Sequence, residues 1–227
     1  MVTYAKDTSK WEDWQRDYRL GLLLIMPPQE VSEKTDPLRA KYDPQSHAIC
    51  PTHISVSDPL RHEMTPALQE EIHHILGSIK PFRLHFDKPH ASAERAGITY
   101  PISPQEPIDN LKQALHAAAI FAGQVYRRRH IPAHMTLAEF ISIEDSLKLC
   151  AQLQDSAPSG SFLCDRLEFI VPDDNFQFQR KGAFFLGNAQ EGSTTDPIQA
   201  RKLNPIKYVR HGNFCRSWRL SHETYDL

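Results

Sequence analysis

Two short segments with alternating apolar and polar residues constrain the fold of this chain more than any other feature. The first is His53-Ile-Ser-Val and the second is His134-Met-Thr-Leu. Alternation with a period of two is typical of a half-buried strand, in which residues i and i+2 project from one face about 6.6 Å apart. Each segment therefore predicts a strand that presents an imidazole and a hydroxyl side by side.

The residues around each segment follow the same order: a strand, a helix, the histidine strand, a second helix and a last strand. The sequence predicts the first set at residues 18–26, 30–42, 51–59, 65–79 and 82–86. It predicts the second set at residues 98–102, 108–123, 134–140, 142–153 and 167–171. Tyr18 and Ile98 begin the two sets 80 residues apart, and the two histidines lie 81 residues apart. This offset predicts an internal duplication with lobes of about 18–90 and 98–187, although helices and strands of ordinary length also fall into step by chance.

Capping signals mark the start of two predicted helices. Thr65 followed by Pro66 indicates a helix in which the threonine is the N-cap and the proline occupies the first turn. Ser142, with Asp145 three residues later, has the pattern of a capping box. Both signals support the second helix of each set.

The end of the chain differs in character from the rest. A strand is predicted at 176–186, with a turn at Arg180-Lys-Gly inside it. Residues 188–227 are predicted to be a basic C-terminal extension, because their last thirty positions hold six Lys or Arg against two acidic residues, with aromatic residues among them. Charge combined with stacking can bind single-stranded nucleic acid. A tail that packs on the body or stays mobile is the alternative.

Composition bounds the class of protein. The chain has 227 residues, 40% hydrophobic and 24% charged, as expected of a globular domain, which we assign to residues 1–187. Its net charge of -2 gives no overall attraction to nucleic acid, so any such affinity must come from a local patch. The sequence shows no signal peptide and no apolar run near the ~18 residues that span a bilayer. We therefore expect a cytoplasmic protein without membrane association.

The pattern His-x-Ser/Thr is weak by itself, because it occurs four times in this chain. Only His53 and His134 have apolar residues at the next and third positions, whereas His90 and His222 lie in polar sequence. An imidazole titrates near pH 6.5, so one ring can act as a base and another as an acid at physiological pH. If the two strands face a common cleft, this pair suits phosphoryl transfer without a metal.

The two motifs resemble those of the two-histidine phosphoesterase superfamily, in particular its 2′-5′ RNA ligase and cyclic phosphodiesterase branch. The matching features are the two histidine motifs, the opening strand that ends at Pro27-Pro28, and the duplicated order, which together cover about residues 18–187. The resemblance implies an α+β, bilobal, pseudo-twofold fold. In such a fold two antiparallel sheets line a central cleft and the helices pack outside.

The resemblance also implies an activity and the residues that carry it. His53 and His134 are expected to be catalytic, and the hydroxyls of Ser55 and Thr136 are expected to bind the phosphate, where charge accumulates in the transition state. The implied reaction is hydrolysis of 2′,3′-cyclic phosphates on RNA ends or on cyclic nucleotides.

A basic patch precedes the second motif. Tyr126, Arg127, Arg128 and Arg129 are predicted to contact the substrate, because arginine binds phosphate in a bidentate manner. The alternative is the end of a helix whose positive charges stabilise its own dipole.

No metal or cofactor site is predicted. His130 and His134 have a spacing that binds zinc on a helix, but Pro132 lies between them. No Gly-rich phosphate loop or dinucleotide fingerprint occurs. The four cysteines lack zinc spacing, and we expect reduced, buried thiols at Cys50, Cys150, Cys164 and Cys215.

Two other functions stay open. One is an RNA- or nucleotide-binding module that does no turnover, and the other is a histidine-rich, metal-dependent hydrolase. The predicted partners are RNA ends or cyclic nucleotides as substrates, and no obligate protein partner is expected.

Overall fold

The computed structural model describes residues 2–187. In this part of the chain the strands are β1 (Leu22–Ile25), β2 (Ile54–Ser55), β3 (Phe82–Phe86), β4 (His90–Ala91), β5 (Ile98–Ser103), β6 (His134–Ala138), β7 (Gly160–Cys164), β8 (Arg166–Pro172) and β9 (Phe178–Phe185). The α-helices are α1 (Asp13–Arg16), α2 (Gln29–Tyr42), α3 (Pro44–Ile49), α4 (Pro66–Gly77), α5 (Gln105–His116) and α6 (Ile143–Leu153). Two 3-10 turns cover Ala119–Phe121 and Arg127–His130. The predicted extension 188–227 lies outside the described residues.

The order of the strands in the sheet is symmetric when equivalent strands of the two sequence halves are exchanged. The strands are antiparallel and follow one another as β7-β3-β5-β6-β2-β1-β8-β9, with β4 beside β5. Exchanging β1 with β5, β2 with β6, β3 with β8 and β7 with β9 reproduces this order in reverse. The pseudo-twofold axis therefore passes between β2 and β6, the strands of the histidine motifs. The predicted α+β class and the antiparallel, duplicated arrangement are confirmed. Between residues 2 and 187 the strands form one continuous sheet, and the two predicted sheets are its two halves, which join at β2 and β6.

The two sequence halves exchange strands. The last strand of the first set, β3, pairs with β5, where Phe86 is opposite Ile102. The last strand of the second set, β8, pairs with β1, where Leu23 is opposite Phe169. Each half of the sheet, on either side of the β2–β6 pair, thus contains strands from both halves of the sequence. The lobe limits 18–90 and 98–187 stay a prediction, and the strand pairing crosses them.

The helices bury their apolar stripes in the same core as the strands. In α4, Ile72 and Leu76 are fully buried, and both belong to the large hydrophobic cluster that includes the sheet. The predicted caps are confirmed, because Thr65 accepts a hydrogen bond from Leu68 N and Ser142 accepts one from Asp145 N. None of the helices between residues 2 and 187 is long and apolar enough to cross a bilayer.

The first strand is shorter than its apolar run predicts. Strand β1 covers only Leu22–Ile25, because a turn closed by the hydrogen bond from Gly21 N to Tyr18 O (2.8 Å) precedes it. Gly21 has φ = +85°, a conformation that favours glycine, and a Cβ there would collide with the carbonyl oxygen of Ile170. The turn separates Tyr18 from the strand and leaves its side chain at the site described below.

Both predicted limits of the helix at 108–123 are wrong. Helix α5 covers Gln105–His116, and a 3-10 turn at Ala119–Phe121 follows it. The alanines after residue 116 favour helix by propensity. However, the carboxylate of Glu71 accepts a hydrogen bond from Ala119 N at 3.0 Å, a tertiary contact that replaces continuation of the helix.

The turn predicted at Arg180-Lys-Gly is also wrong. Strand β9 is continuous and pairs with β8 along its length. Arg180 lies opposite Ile170 and Gly182 opposite Phe169, so Lys181 is an extra residue in a β-bulge. At an edge strand, glycine and charged residues indicate a bulge as readily as a turn.

Several short elements were not predicted, namely α1, α3, β4 and β7. Strand β7 pairs with β3 through five residue pairs at one edge of the sheet, but only two of its side chains are buried. Short elements with little buried surface leave a weak hydrophobic pattern. The thiols of Cys50, Cys150 and Cys164 are free and buried, as predicted, and Cys215 lies outside the described residues.

Candidate active site

Strands β2 and β6 bring the two histidine motifs side by side. Ile54 pairs with Met135 in antiparallel register, and both side chains are fully buried in the core. Side chains alternate between the two faces of a strand. The residues before and after this pair therefore face the opposite side of the sheet, where a cavity lies.

The register sets the arrangement of the four motif side chains. Continuing it by one residue in each direction puts His53 opposite Thr136, and Ser55 opposite His134. Directly opposed residues have Cβ atoms about 4.5–5.5 Å apart, and diagonal neighbours are about 7–8 Å apart. Each imidazole thus faces the hydroxyl of the other motif, and the two imidazoles are diagonal neighbours. All four side chains line the same cavity.

Both histidines are held by the same backbone contact. The Nδ1 atom of His53 lies 2.7 Å from the carbonyl oxygen of Pro51, and the Nδ1 atom of His134 lies 2.8 Å from that of Pro132. A carbonyl oxygen only accepts hydrogen bonds, so Nδ1 carries the proton in each ring. The neutral tautomer then has an unprotonated Nε2, which is the form of a general base.

Sequence reasoning overlooked a signal for this contact. A proline stands two residues before each motif histidine, as Pro51-Thr-His and Pro132-Ala-His. From the sequence, Pro51 indicates only the start of the predicted strand, and Pro132 only a break in a helix between His130 and His134. The shared spacing separates the two motifs from His90-Ala-Ser, which follows Lys88-Pro.

Burial and positive charge lower the pKa of both imidazoles. Burial, followed by the charges of Arg39 and Arg128, lowers the pKa of His53 to about 3. Burial, with the charges of Arg128 and Lys112, also lowers the pKa of His134. Both rings are therefore neutral at pH 7 unless an anion binds beside them, since a nearby negative charge raises the pKa of a histidine.

The cavity has a volume of about 630 Å³, a size typical of small-molecule sites. Besides the motif residues, five arginines and three carboxylates line it: Arg39, Arg61, Arg95, Arg127 and Arg128, with Asp17, Asp58 and Glu139. The lining thus has an excess of two positive charges, although the whole chain has a net charge of -2. This local field favours an anionic ligand.

Each lining carboxylate lies near an arginine. Asp17 pairs with Arg61 at 3.1 Å. The side chains of Asp58 and Arg128 lie 3.7 Å apart, and Glu139 is the counter-ion of the buried Arg39. The excess charge is therefore that of the two remaining cavity arginines, at positions 95 and 127.

The structure divides the predicted basic patch. Arg127 and Arg128 line the cavity. Tyr126 and Arg129 are not among the lining residues; the ring of Tyr126 stacks on His116 with centroids 3.7 Å apart, and Arg129 is exposed. The arginines belong to a single 3-10 turn rather than to the end of an α-helix.

Sequence reasoning missed Arg39, which links the two motifs. Its guanidinium, nearly fully buried, extends from α2 and donates from Nη1 to Thr136 O at 2.6 Å. Nε donates to Cys50 O at 3.3 Å, three residues before His53. Nη2 contacts Glu139 Oε1 at 3.4 Å. No local signal marks this arginine, because its partners are distant in sequence.

A second buried carboxylate fixes the end of β6. Asp43 Oδ2 accepts hydrogen bonds from Glu139 N at 2.7 Å and Phe140 N at 3.1 Å. The Ser46 hydroxyl lies 2.8 Å from both Asp43 Oδ2 and Glu139 Oε1. Burial raises the pKa of Glu139, and the charge of Arg39 opposes this effect. These contacts attach α2 and α3 to the strand that carries the second motif.

Comparison with protein families identifies the superfamily of this chain. The family model of the 2′-5′ RNA ligase superfamily matches residues 27–176. The chain belongs to this superfamily. The predicted resemblance to two-histidine phosphoesterases is thereby confirmed.

Bacterial proteins and structures similar to this chain are known from several species. A "putative phosphoesterase" of Bacillus cereus strain G9842 is 25% identical over 172 residues, covering 74% of this chain and 97% of its own length. One of Bacillus cytotoxicus is 23% identical over 176 residues, covering 76% and 99%. The structure of Escherichia coli LigT complexed with NADP⁺ is 16% identical with a TM-score of 0.48, covering 73% of this chain and 96% of that chain. A structure from Thermus thermophilus is 10% identical with a TM-score of 0.46, covering 74% and 98%.

The cavity extends beyond the part of the chain that the superfamily model matches. Both histidine motifs lie inside residues 27–176. Trp14, Asp17 and Tyr18, which also line the cavity, precede that region. Between residues 2 and 187, no group of three or more His, Cys, Asp or Glu side chains is arranged to hold a metal ion.

Proposed function

We propose that this protein is a metal-independent phosphodiesterase that hydrolyses 2′,3′-cyclic phosphates on RNA ends or nucleotides, with His53 and His134 as its acid and base. The observation that carries the proposal is the pair of imidazoles on one cavity, each with Nδ1 bonded to a proline carbonyl. This contact leaves Nε2 of each ring for proton transfer. Membership of a phosphoesterase superfamily supports the same chemistry.

The surrounding charges favour His53 as the base in this hydrolysis. Burial, together with the charges of Arg39 and Arg128, lowers the pKa of His53 and keeps its ring neutral. His53 Nε2 would accept a proton from water as the water oxygen attacks phosphorus. The bond from phosphorus to the 3′ oxygen breaks, and protonated His134 gives its Nε2 proton to that oxygen. The products are a 3′ hydroxyl and a 2′ phosphate, and a bound anionic substrate raises the pKa of His134 for this role.

Two hydroxyls and one arginine would stabilise the charge that develops on the phosphate. In the register of β2 and β6, Ser55 lies opposite His134 and Thr136 lies opposite His53. Their hydroxyls can donate hydrogen bonds to the non-bridging oxygens of the phosphate. Arg128 lines a small recess together with Ser55 and His134. A guanidinium there can also bind a phosphate oxygen directly.

The test compares single histidine variants in excess chelator. Wild type, His53→Ala and His134→Ala are incubated with 2′,3′-cyclic nucleotides, and the released phosphate isomer is identified. Each substitution should lower kcat by about 10²–10⁴-fold, the usual contribution of a general acid or base. His90→Ala is the matched control, because His90 is exposed and lies in another His-x-Ser sequence. Near-normal rates in either motif variant would contradict the proposal.

The excess positive charge of the cavity also favours a second candidate, an RNA- or nucleotide-binding module without turnover. Its lining has five arginines and three carboxylates, a balance that binds a phosphate backbone whether or not a reaction follows. Tight RNA binding with no cleavage of any cyclic phosphate by the wild-type protein would support this candidate. Loss of activity in chelator, with recovery on adding zinc or manganese, would instead indicate a metal-dependent hydrolase.

A further inference from the structure

Residues 2–21, here called the N-terminal segment, are fixed to the body of the protein at several points. The carboxylate of Asp174 accepts a hydrogen bond from Lys6 N at 2.8 Å, and its carbonyl oxygen accepts one from Trp11 Nε1 at 3.0 Å. The hydroxyl of Tyr4 accepts a hydrogen bond from Met64 N at 2.8 Å. The segment therefore contacts both the β8–β9 hairpin and the loop that follows the first histidine motif.

An aromatic cluster fixes the side chain of Tyr18 within this segment. Trp11 and Tyr18 are almost fully buried, with 5% and 3% of their surface exposed. Both contact Phe176 edge to face, with ring centroids 5.1 Å and 6.2 Å apart. Phe178 contacts Tyr18 in the same way at 6.2 Å. Rings held by such contacts have few alternative rotamers, so the position of the Tyr18 hydroxyl is well defined.

The Tyr18 hydroxyl contacts an arginine of the candidate active site. Arg128 Nη2 donates to Tyr18 Oη at 3.0 Å. On another side of the same guanidinium, Nε lies 3.7 Å from Asp58 Oδ1. Asp58 Oδ2 in turn accepts a hydrogen bond from Arg127 N at 2.9 Å, which fixes the backbone beside Arg128. Arg128 is thus oriented by one group from the N-terminal segment and one from the loop after the first motif.

Arg128 also lies beside residues of both histidine motifs, because it lines a small recess with Ser55 and His134. Its charge lowers the pKa of both His53 and His134. Within the described part of the chain, Arg128 Nη1 makes no hydrogen bond to protein. An anion beside the histidines would meet this part of the guanidinium.

We propose that Tyr18 is a positioning residue that holds Arg128 toward the phosphate group of the substrate, so that the N-terminal segment is part of the active site. The inference rests on the proposed function, and it adds a residue outside the region that the superfamily model matches. The ligand it concerns is a phosphate group. If Tyr18 served only to pack the aromatic cluster, its ring would be needed and its hydroxyl would not.

The test removes the hydroxyl and keeps the ring. Tyr18→Phe is compared with Tyr4→Phe, a matched control from the same segment whose hydroxyl also accepts a hydrogen bond from the body, from Met64 N. The dissociation constant of inorganic phosphate is measured by calorimetry for each full-length protein. We expect it to rise about tenfold in Tyr18→Phe, as for a lost hydrogen bond to a charged group. In Tyr4→Phe it should change less than about twofold, although both variants lose a hydrogen bond in the folded state.

A double variant separates positioning from packing. In an Arg128→Gln background, Tyr18→Phe should cause no further loss of phosphate affinity, because the two residues act through one group. The same tenfold loss in that background, or unchanged affinity in Tyr18→Phe alone, would overturn the inference. So would the absence of saturable phosphate binding to the wild type. Because binding is measured without turnover, a wild type that binds phosphate but hydrolyses no cyclic phosphate would refute the proposed function and leave the role of Tyr18 measurable.

Discussion

The Nη1 atom of Arg39 donates a hydrogen bond of 2.6 Å to the carbonyl oxygen of Thr136. This contact joins α2 to the strand of the second motif, while Nε of the same guanidinium reaches Cys50 O beside the first. One buried side chain therefore restrains the backbone of both motifs.

Replacing Arg39 should destabilise the protein. In Arg39→Met the carboxylate of Glu139, which is 24% exposed, loses its counter-ion, and the carbonyl oxygens of Cys50 and Thr136 lose a donor. Breaking a buried ion pair in this way costs about 3–5 kcal/mol of unfolding free energy. Urea denaturation measures the change. Lys148→Met is the control, because the exposed pair of Lys148 with Glu144 contributes less than about 0.5 kcal/mol, and an equal loss in both variants would refute the structural role of Arg39.

The unfolding free energy should fall as the pH is lowered from about 6.5 toward 3. The pKa of His53 is about 3 in the folded protein because of burial and the charge of Arg39, whereas an unfolded histidine titrates near 6.5. Between these values the unfolded chain binds a proton that the folded chain does not. Stability therefore rises with pH in this range and is lost on acidification.

A histidine variant isolates this contribution. In His53→Asn the slope of unfolding free energy against pH between 4 and 6.5 should be smaller than in wild type, as urea denaturation at several pH values would measure. His90→Asn removes an exposed histidine and should leave the slope unchanged. Equal slopes in wild type and His53→Asn would show that folding does not lower the pKa of His53.

Two cavity arginines, Arg95 and Arg127, form no ion pair with a carboxylate of residues 2–187, and they should strengthen the binding of anionic substrates. Arg95→Gln and Arg127→Gln each remove one of the two excess positive charges. We expect KM for a cyclic nucleotide to rise a few-fold with kcat unchanged, and the dependence of KM on salt to weaken. Arg83→Gln, which changes an exposed arginine on β3 outside the cavity lining, should have neither effect. A fall in kcat with constant KM would contradict this assignment.

The turn before β1 should not tolerate a side chain. Gly21 has φ = +85°, and a Cβ would collide with Ile170 O. Gly21→Ala is expected to lower the unfolding free energy by more than about 1 kcal/mol. Gly182→Ala is the control, since nothing lies within 4 Å of the Cβ position there. Equal thermal midpoints for the two variants would exclude strain at Gly21.

Features with a local cause could be predicted from the sequence. The alternation around His53 and His134 reports the environment of each strand directly, and the Thr65 and Ser142 caps depend on neighbouring residues only. The α+β class and the duplication were also predictable, whereas the strand order, which crosses the predicted lobe limits, was not predicted. The prolines before the histidines were visible too, and only their role as hydrogen-bond acceptors was missed.

The remaining parts of the site could not be predicted, because their partners are distant in the sequence. Arg39 lies 97 residues from Thr136, and Arg128 lies 110 residues from Tyr18. Neither arginine has a periodic neighbour that would indicate its contact. The failed helix prediction after His116 has the same cause, since a carboxylate from α4 determines where α5 ends.

The exchange of strands between the two sequence halves has a consequence for the assembly of the protein. Strand β3 pairs with β5, and β1 pairs with β8. If the polypeptide were cut between β4 and β5, the first fragment would hold β1 and β3 and the second would hold β5 and β8. Each of these strands would then lack at least one of its pairing partners within its own fragment. Such fragments would have to associate before either could bury its apolar surface. A complete cavity, with both histidine motifs in its lining, therefore requires the uncut polypeptide or its reunited pieces.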